Sequence, residues 1–191
     1  MPNRLTKGKG LFGAINVPAS GLYIADTAVT ASAAELNLTD GLLATTAELN
    51  RVADASTRVI NGTASGTLSI TEATHDGKTV LLNRAGGFDV ALPAATGSGA
   101  RLRFVVATTG TANYVIRAGA GDAFWGNTFQ VTDNAGTVIA FKAGGGTVMT
   151  LNGSTTGGIK GDVIALEDVL TNIWFVDARV AGTGAEATPY S

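Results

Sequence analysis

From Thr67 onward, apolar and polar residues alternate in short runs bounded by turn residues, the pattern of half-buried strands. The runs Thr67–Ala73, Thr79–Asn83, Phe88–Leu92, Arg101–Ala107, Tyr114–Ala118, Thr128–Thr132, Thr137–Lys142, Thr147–Asn152, Asp162–Leu166 and Ile173–Ala178 each predict a strand. Between them stand Asp76-Gly77, Gly86-Gly87, Asn134-Ala135-Gly136 and Asn152-Gly153, residues suited to tight turns. In Arg101-Leu102-Arg103-Phe104-Val105, Leu102 and Phe104 share the inward face. In the last run Ile173 and Phe175 share one face and Trp174 and Val176 the other, which predicts a strand covered on both sides. Many short strands at this spacing predict a mainly β fold, with a β-sandwich or jelly-roll-like domain over residues 59–180 and a C-terminal tail over 181–191.

Residues 29–58 follow a different rule. Ser32-Ala33-Ala34-Glu35-Leu36-Asn37 recurs as Thr45-Thr46-Ala47-Glu48-Leu49-Asn50, an internal repeat. Ser32 with Glu35, and Thr45 with Glu48, form capping boxes in which hydroxyl and carboxylate satisfy orphan backbone N–H groups at a helix start. Two short helices are therefore predicted, beginning at Ala33 and Thr46 and stopping near Asp40-Gly41 and Asp54-Ala55-Ser56. Helices of about two turns are marginal alone, because nucleation costs more than so few hydrogen bonds return. Three copies stacked around an axis would bury Leu36, Leu42, Leu43, Leu49 and Val52. The alternative is two surface helices packed on the β domain of their own chain.

Residues 1–28 lack either periodicity and contain Gly and Pro at short intervals, so an extended N-terminal arm is expected. It carries Arg4, Lys7 and Lys9 with no acid before Asp26, and the apolar residues Leu11, Phe12, Ile15 and Val17. A segment of this kind is suited to ordering on a partner, cations against carboxylates and apolar side chains in a groove.

Composition narrows the function classes. With 45% hydrophobic and only 15% charged residues the chain should fold, and so sparse a set of charges implies that part of its surface is covered, most simply by further copies of itself. A net charge of −2 disfavours nucleic acid. No apolar run approaches the roughly 20 residues needed to span a bilayer, and no signal-like segment follows Met1, so neither a membrane nor the secretory pathway is expected. Zero cysteines exclude disulfides, thiolate metal sites and Cys nucleophiles.

Catalytic chemistry finds little footing. Gly8-Lys9-Gly10-Leu11-Phe12-Gly13 matches a dinucleotide fingerprint, but no strand precedes it and Pro18 interrupts any following helix. Gly77-Lys78-Thr79 reads as a hairpin turn rather than the end of a phosphate loop. His75, the single histidine, reads as an exposed turn residue, and no nucleophile elbow accompanies it. Asp122, Asp133 and Asp162 show no metal-ligand spacing. Phe124-Trp125, Trp174 and Tyr190 could form a sugar-binding platform, although core or intersubunit packing suits such sparse aromatics better. No enzyme activity, cofactor or metal is expected.

The segments Thr30–Asn37 and Ala44–Arg51 resemble the TAAELN-type repeats of trimeric virion proteins of tailed phages, including head decoration proteins and fibres. The stretches Asp76–Asn83, Phe88–Gly99 and Gly161–Leu166, with Trp174, are similar to a phage β domain that follows such repeats. The resemblance covers residues 29–178 and implies a homotrimer with an attached base and an exposed β head. Two repeats are too few for a long fibre, and the chain has no room for a tailspike β-helix. The resemblance thus favours a capsid decoration, or cement, protein on the virion surface, synthesised in the host cytoplasm, with the major capsid protein as partner. A short tail fibre, spike or adaptor is the alternative, and a host glycan is a further, unsupported partner.

If the repeat forms a trimer axis, replacing both Leu36 and Leu49 by Asp places unpaired charges in it at a cost of several kcal/mol. Light scattering should then report monomer, and a double mutant that stays trimeric contradicts the axial helices.

Overall fold

The computed structural model describes residues 22–24, 27–29, 58–134 and 137–191, and the chain divides into two compact units, Met1–Thr46 and Ala47–Ser191. In the first unit β1 (Leu22–Ile24) pairs antiparallel with β2 (Thr27–Val29), Leu22 opposite Val29. This hairpin lies within the stretch expected to be extended. Leu22, Tyr23, Ile24, Thr27 and Val29 are of strand-forming types, but runs of three residues are too short to show a period.

The second unit contains β3 (Val59–Gly62), β4 (Thr67–Ser69), a helical turn α1 (Glu72–His75), β5 (Thr79–Leu82), β6 (Phe88–Ala91), β7 (Arg101–Val106), β8 (Tyr114–Arg117), β9 (Ala123–Val131), β10 (Val138–Lys142), β11 (Val148–Leu151), β12 (Val163–Leu170) and β13 (Ile173–Ala181). They form a seven-stranded sheet, β10-β9-β13-β12-β7-β5-β3, and a four-stranded sheet, β11-β8-β6-β4. The protein is mainly β, as its periodicity predicts, and both sheets are mixed.

From β3 to β8 the chain visits the two sheets in turn. As a result β3, β5 and β7 lie parallel in the large sheet, and β4, β6 and β8 lie parallel in the small one. Parallel neighbours need a crossover, and here the strand in the opposite sheet supplies it, giving three coils of the kind solenoids repeat. Asp76-Gly77 therefore leads from α1 into β5 instead of closing a hairpin, and Gly86-Gly87 carries the chain from one sheet to the other. The hairpins are β9–β10 and β12–β13, with β13 parallel to β9.

Several boundaries differ from the sequence expectation. The predicted strand Thr67–Ala73 ends at Ser69, because Glu72–His75 closes a helical turn with His75 N–H donating to Thr71 O at 2.9 Å. His75 is not an exposed turn residue: it is 7% exposed, and its Nδ1 accepts the Thr71 N–H at 3.1 Å. The predicted strand at Thr128 starts earlier, at Ala123, because Gly126 does not interrupt it. Gly126 sits at φ 123°, where a Cβ would fall 2.0 Å from Val176 O, so β9 and β13 can approach there only without a side chain.

One hydrophobic core joins the inward faces of both sheets. Val80, Leu82, Leu102, Phe104, Val106, Ile164, Leu166, Trp174, Val176 and Ala178 come from the large sheet, and Phe88, Val90, Tyr114, Ile116, Met149 and Leu151 from the small one. Each such large side chain contributes about 1.5–3 kcal/mol through burial. Phe88 and Tyr114 meet edge to face at 5.3 Å and 88°. The Tyr114 hydroxyl accepts the Arg84 N–H at 3.0 Å and has Arg84 O at 2.7 Å as its nearest acceptor. The C-terminal residues run back along β11, with Thr147 and Val148 N–H donating to Ser191 O and the Tyr190 ring 6.4 Å from Phe124.

Buried carboxylates order the loops. Asp168 is fully buried on β12, and its Oδ2 accepts N–H groups of Thr96 (2.9 Å) and Ser98 (3.0 Å) and the Ser98 hydroxyl (2.8 Å). Its Oδ1 accepts the Gly97 N–H at 2.8 Å. Burial alone would raise the Asp168 pKa, but the hydrogen bonds from Thr96, Ser98 and Gly97 more than offset this and hold it below 3.8. Asp162 accepts from Gly158 (2.8 Å), Ile159 (3.0 Å) and Ala181 (2.8 Å). There burial prevails over those bonds and the pKa lies above 3.8.

Because the Asp168 pKa is depressed on folding, its stabilisation is present above pH 3.8 and is lost as pH falls through the folded value. Asp168→Asn should cost about 2–4 kcal/mol at neutral pH in urea unfolding, since it replaces an acceptor oxygen by a donor against loop N–H groups. The gap from wild type should narrow on acidification below pH 3.8; an equal gap at both pH values contradicts the carboxylate clamp. Asp162, with its raised pKa, carries the opposite sign: its contribution declines as pH rises from 3.8 through the folded value.

Candidate functional site

The residues assigned from sequence to a trimer axis (Leu36, Leu42, Leu43, Leu49, Val52), to helix capping (Ser32, Glu35, Thr45, Glu48) and to capsid attachment (Arg4, Lys7, Lys9, Leu11, Phe12, Ile15, Val17) lie outside the described residues. Of the aromatic candidates, Phe124 and Trp174 are fully buried and Tyr190 packs against the core, so they belong to folding. Asp122 and Asp162 are buried and accept loop N–H groups. Among the described residues no group of three or more His, Asp or Glu is placed to hold a metal ion.

Trp125 is different. It follows Phe124 on β9, so its side chain points to the opposite, outer face of the large sheet, where it is 51% exposed. Register places Trp125 beside Phe175, Phe175 beside Glu167, and Glu167 beside Arg101, one row across β9, β13, β12 and β7. The next outward row reads Lys142, Asn127, Asp177, Ala165, Arg103 and Thr79. Phe175 is 44% exposed in the single chain, so the cover that its apolar pattern predicts for the second face of the last strand must come from outside the chain. Further along the same face lie Phe129, Val131 and Val138, all exposed, the last on edge strand β10.

Phe175 separates two clefts. One, of about 490 Å³, is lined by Trp125, Gly126, Lys142, Gly144 and Phe175. The other, of about 480 Å³, has Arg101, Arg103, Glu167, Phe175 and Asp177 among its lining residues. Arg101 pairs with Glu167 at 3.1 Å and Arg179 with Asp177 at 3.6 Å, both at exposed positions where such pairs contribute about 0–1 kcal/mol. The face therefore combines exposed aromatics, open ion pairs and small residues that leave room above the sheet. Among the described residues of this face no nucleophile and base stand in hydrogen-bonding contact. Sequence reasoning missed Phe175 because an apolar residue on an apolar strand looks like core; it named Trp125 among the aromatics but could not tell it from Phe124, because the predicted strand begins only at Thr128.

No protein-family model, curated protein or solved structure matches the chain. The geometry makes a direct prediction about the two tryptophans, since Trp125 faces water while Trp174 is fully buried. Acrylamide should quench one component of the emission and leave another protected, and Trp125→Phe should remove the quenchable component. Uniform quenching in the folded protein contradicts the assigned faces.

Proposed function

We propose that this chain is a capsid decoration protein of a tailed phage, which binds the major capsid protein as a homotrimer and stabilises the shell. The observation that carries the reading is the duplicated Ser32–Asn37 and Thr45–Asn50 sequence with its two capping-box patterns, together with the resemblance to trimeric virion proteins. In this reading the arm over residues 1–28 attaches the trimer, two short helices per chain build its axis, and the two sheets of the β unit pack as a sandwich that points outward. Exposed Phe129, Val131 and Val138 beside the β10 edge suit contact with a neighbouring copy. The mechanism is bridging: a ligand that binds only the assembled lattice stabilises it by mass action, and three linked contacts raise the effective concentration of each. No catalytic step is assigned. The second reading, a short tail fibre, spike or adaptor, is favoured by one observation, the exposed Trp125 and Phe175 pair.

Deleting residues 2–18 tests the attachment. The truncated protein should stay trimeric yet fail to bind undecorated capsids, and salt should weaken wild-type binding, because Arg4, Lys7 and Lys9 would meet capsid carboxylates. A truncation that still saturates capsids at wild-type affinity places attachment elsewhere, with the arm folded along its own trimer and the β head docking.

A further inference from the structure

We propose that the outer face of the large sheet around Trp125, Phe175 and Arg103 is a binding groove for an acidic oligosaccharide carrying uronate carboxylates. The inference is independent of capsid attachment.

Trp125 and Phe175 are register partners on adjacent parallel strands, so their Cα atoms stand about 4.8 Å apart and both side chains rise from the same face. Rings left half in water beside hydrogen-bonding groups suit a ligand that is itself two-faced. A pyranose is such a ligand: its C–H face is apolar and its rim carries hydroxyls. The groups around these rings are Asn127, Asp177, Glu167 and Lys142, which can bond hydroxyls from the sides. Gly126, Gly144 and Ala165 keep the floor low, and Phe175 is shared by both clefts, so the groove continues across four strands. Three strand spacings amount to about 14 Å, the reach of a short oligosaccharide rather than a single sugar.

Charge selects the class of glycan. The chain carries a net charge of −2, yet among the described residues Arg101, Arg103, Lys142 and Arg179 stand on this face against Glu167 and Asp177. Arg101 and Arg179 are paired with those acids, while Arg103 and Lys142 have no ion-pair partner among the described residues. A guanidinium fork matches a carboxylate in bidentate fashion, and a neutral sugar would leave both cations uncompensated as water departs. A second copy of the chain fits this end of the face less well, because charged residues are depleted from the cores of protein interfaces, and here every aromatic has a charged neighbour. The end suited to a second copy is Val131 and Val138 with Phe129, whose charged register partner Arg179 is already paired with Asp177.

The test is calorimetric titration of the full-length protein with tetrasaccharides of galacturonate, mannuronate and hyaluronan, with neutral maltotetraose as control. At least one uronate tetrasaccharide should bind, about tenfold or more tighter than maltotetraose and more weakly as salt rises. Trp125→Ala and Phe175→Ala should each weaken it about tenfold, and Arg103→Gln should abolish the preference for the acidic ligand. Thermal melts and the protected Trp174 emission establish that each variant is folded. The proposal is overturned if none of the uronates binds, or if binding is indifferent to these substitutions. It is also overturned if Trp125 is shielded from acrylamide in the free protein and Trp125→Ala lowers its oligomeric mass, which would make the face a subunit interface. Capsid binding by Trp125→Ala should match wild type, so failure of the groove and failure of the decoration reading are separable.

Discussion

Backbone N–H groups in a loop must find acceptors, and in this protein buried aspartates supply them where the chain passes between sheets. Asp168 gathers three consecutive N–H groups, those of Thr96, Gly97 and Ser98, onto a strand some seventy residues away in sequence. Asp162 ties Gly158 and Ile159 to the far end of β13 through Ala181, and Asp122 holds Ala95. Burying a carboxylate is costly; at Asp168 the bonds more than offset the cost, at Asp162 only in part, and at either one removing the acceptor would leave several donors orphaned at once. A coil whose strands alternate between two sheets has long connections at its corners. In a chain without cysteine, these carboxylates do the cross-linking that disulfides do elsewhere.

That constraint explains which parts of the fold were legible in the sequence. Alternation missed β1, β2 and β3, since runs of three or four residues show no clear period. It found the strands from Thr67 onward, because Leu102 and Phe104, or Trp174 and Val176, must point inward whatever their neighbours are. It could not find their order. The parallel pairing of β3, β5 and β7 depends on connections that rise and fall between sheets, and turn signals such as Asp76-Gly77 or Gly86-Gly87 look alike in a hairpin and at a coil corner. The buried carboxylates are equally hidden: nothing beside Asp162 or Asp168 in the sequence marks either as a loop clamp, since an acidic residue at a strand end gives no local sign that a distant loop will cover it. His75 was misplaced for the same reason, because its burial follows from a helical turn too short to leave a periodic trace.

The outer face of the large sheet shows the reverse situation. Core packing accounts for the inward half of β9 and β13 but demands nothing of Trp125, Phe129 or Phe175 on the outside, where aromatic side chains cost solubility. Their presence is therefore informative in a way that an inward Phe104 is not. The two proposed uses divide the face along its length: an apolar end at the β10 edge for a neighbouring subunit, and a mixed aromatic and cationic end for an acidic glycan. Both uses are compatible with a decoration protein whose β unit points away from the shell.

A decoration protein would sit on the capsid, and cryo-electron microscopy of purified virions from a phage proposed to encode this chain would show whether it does. The decoration proposal requires density for three copies at three-fold or quasi-three-fold positions of the shell, with the β units outermost. Density confined to the tail, or a capsid lattice bare of this chain, would contradict it.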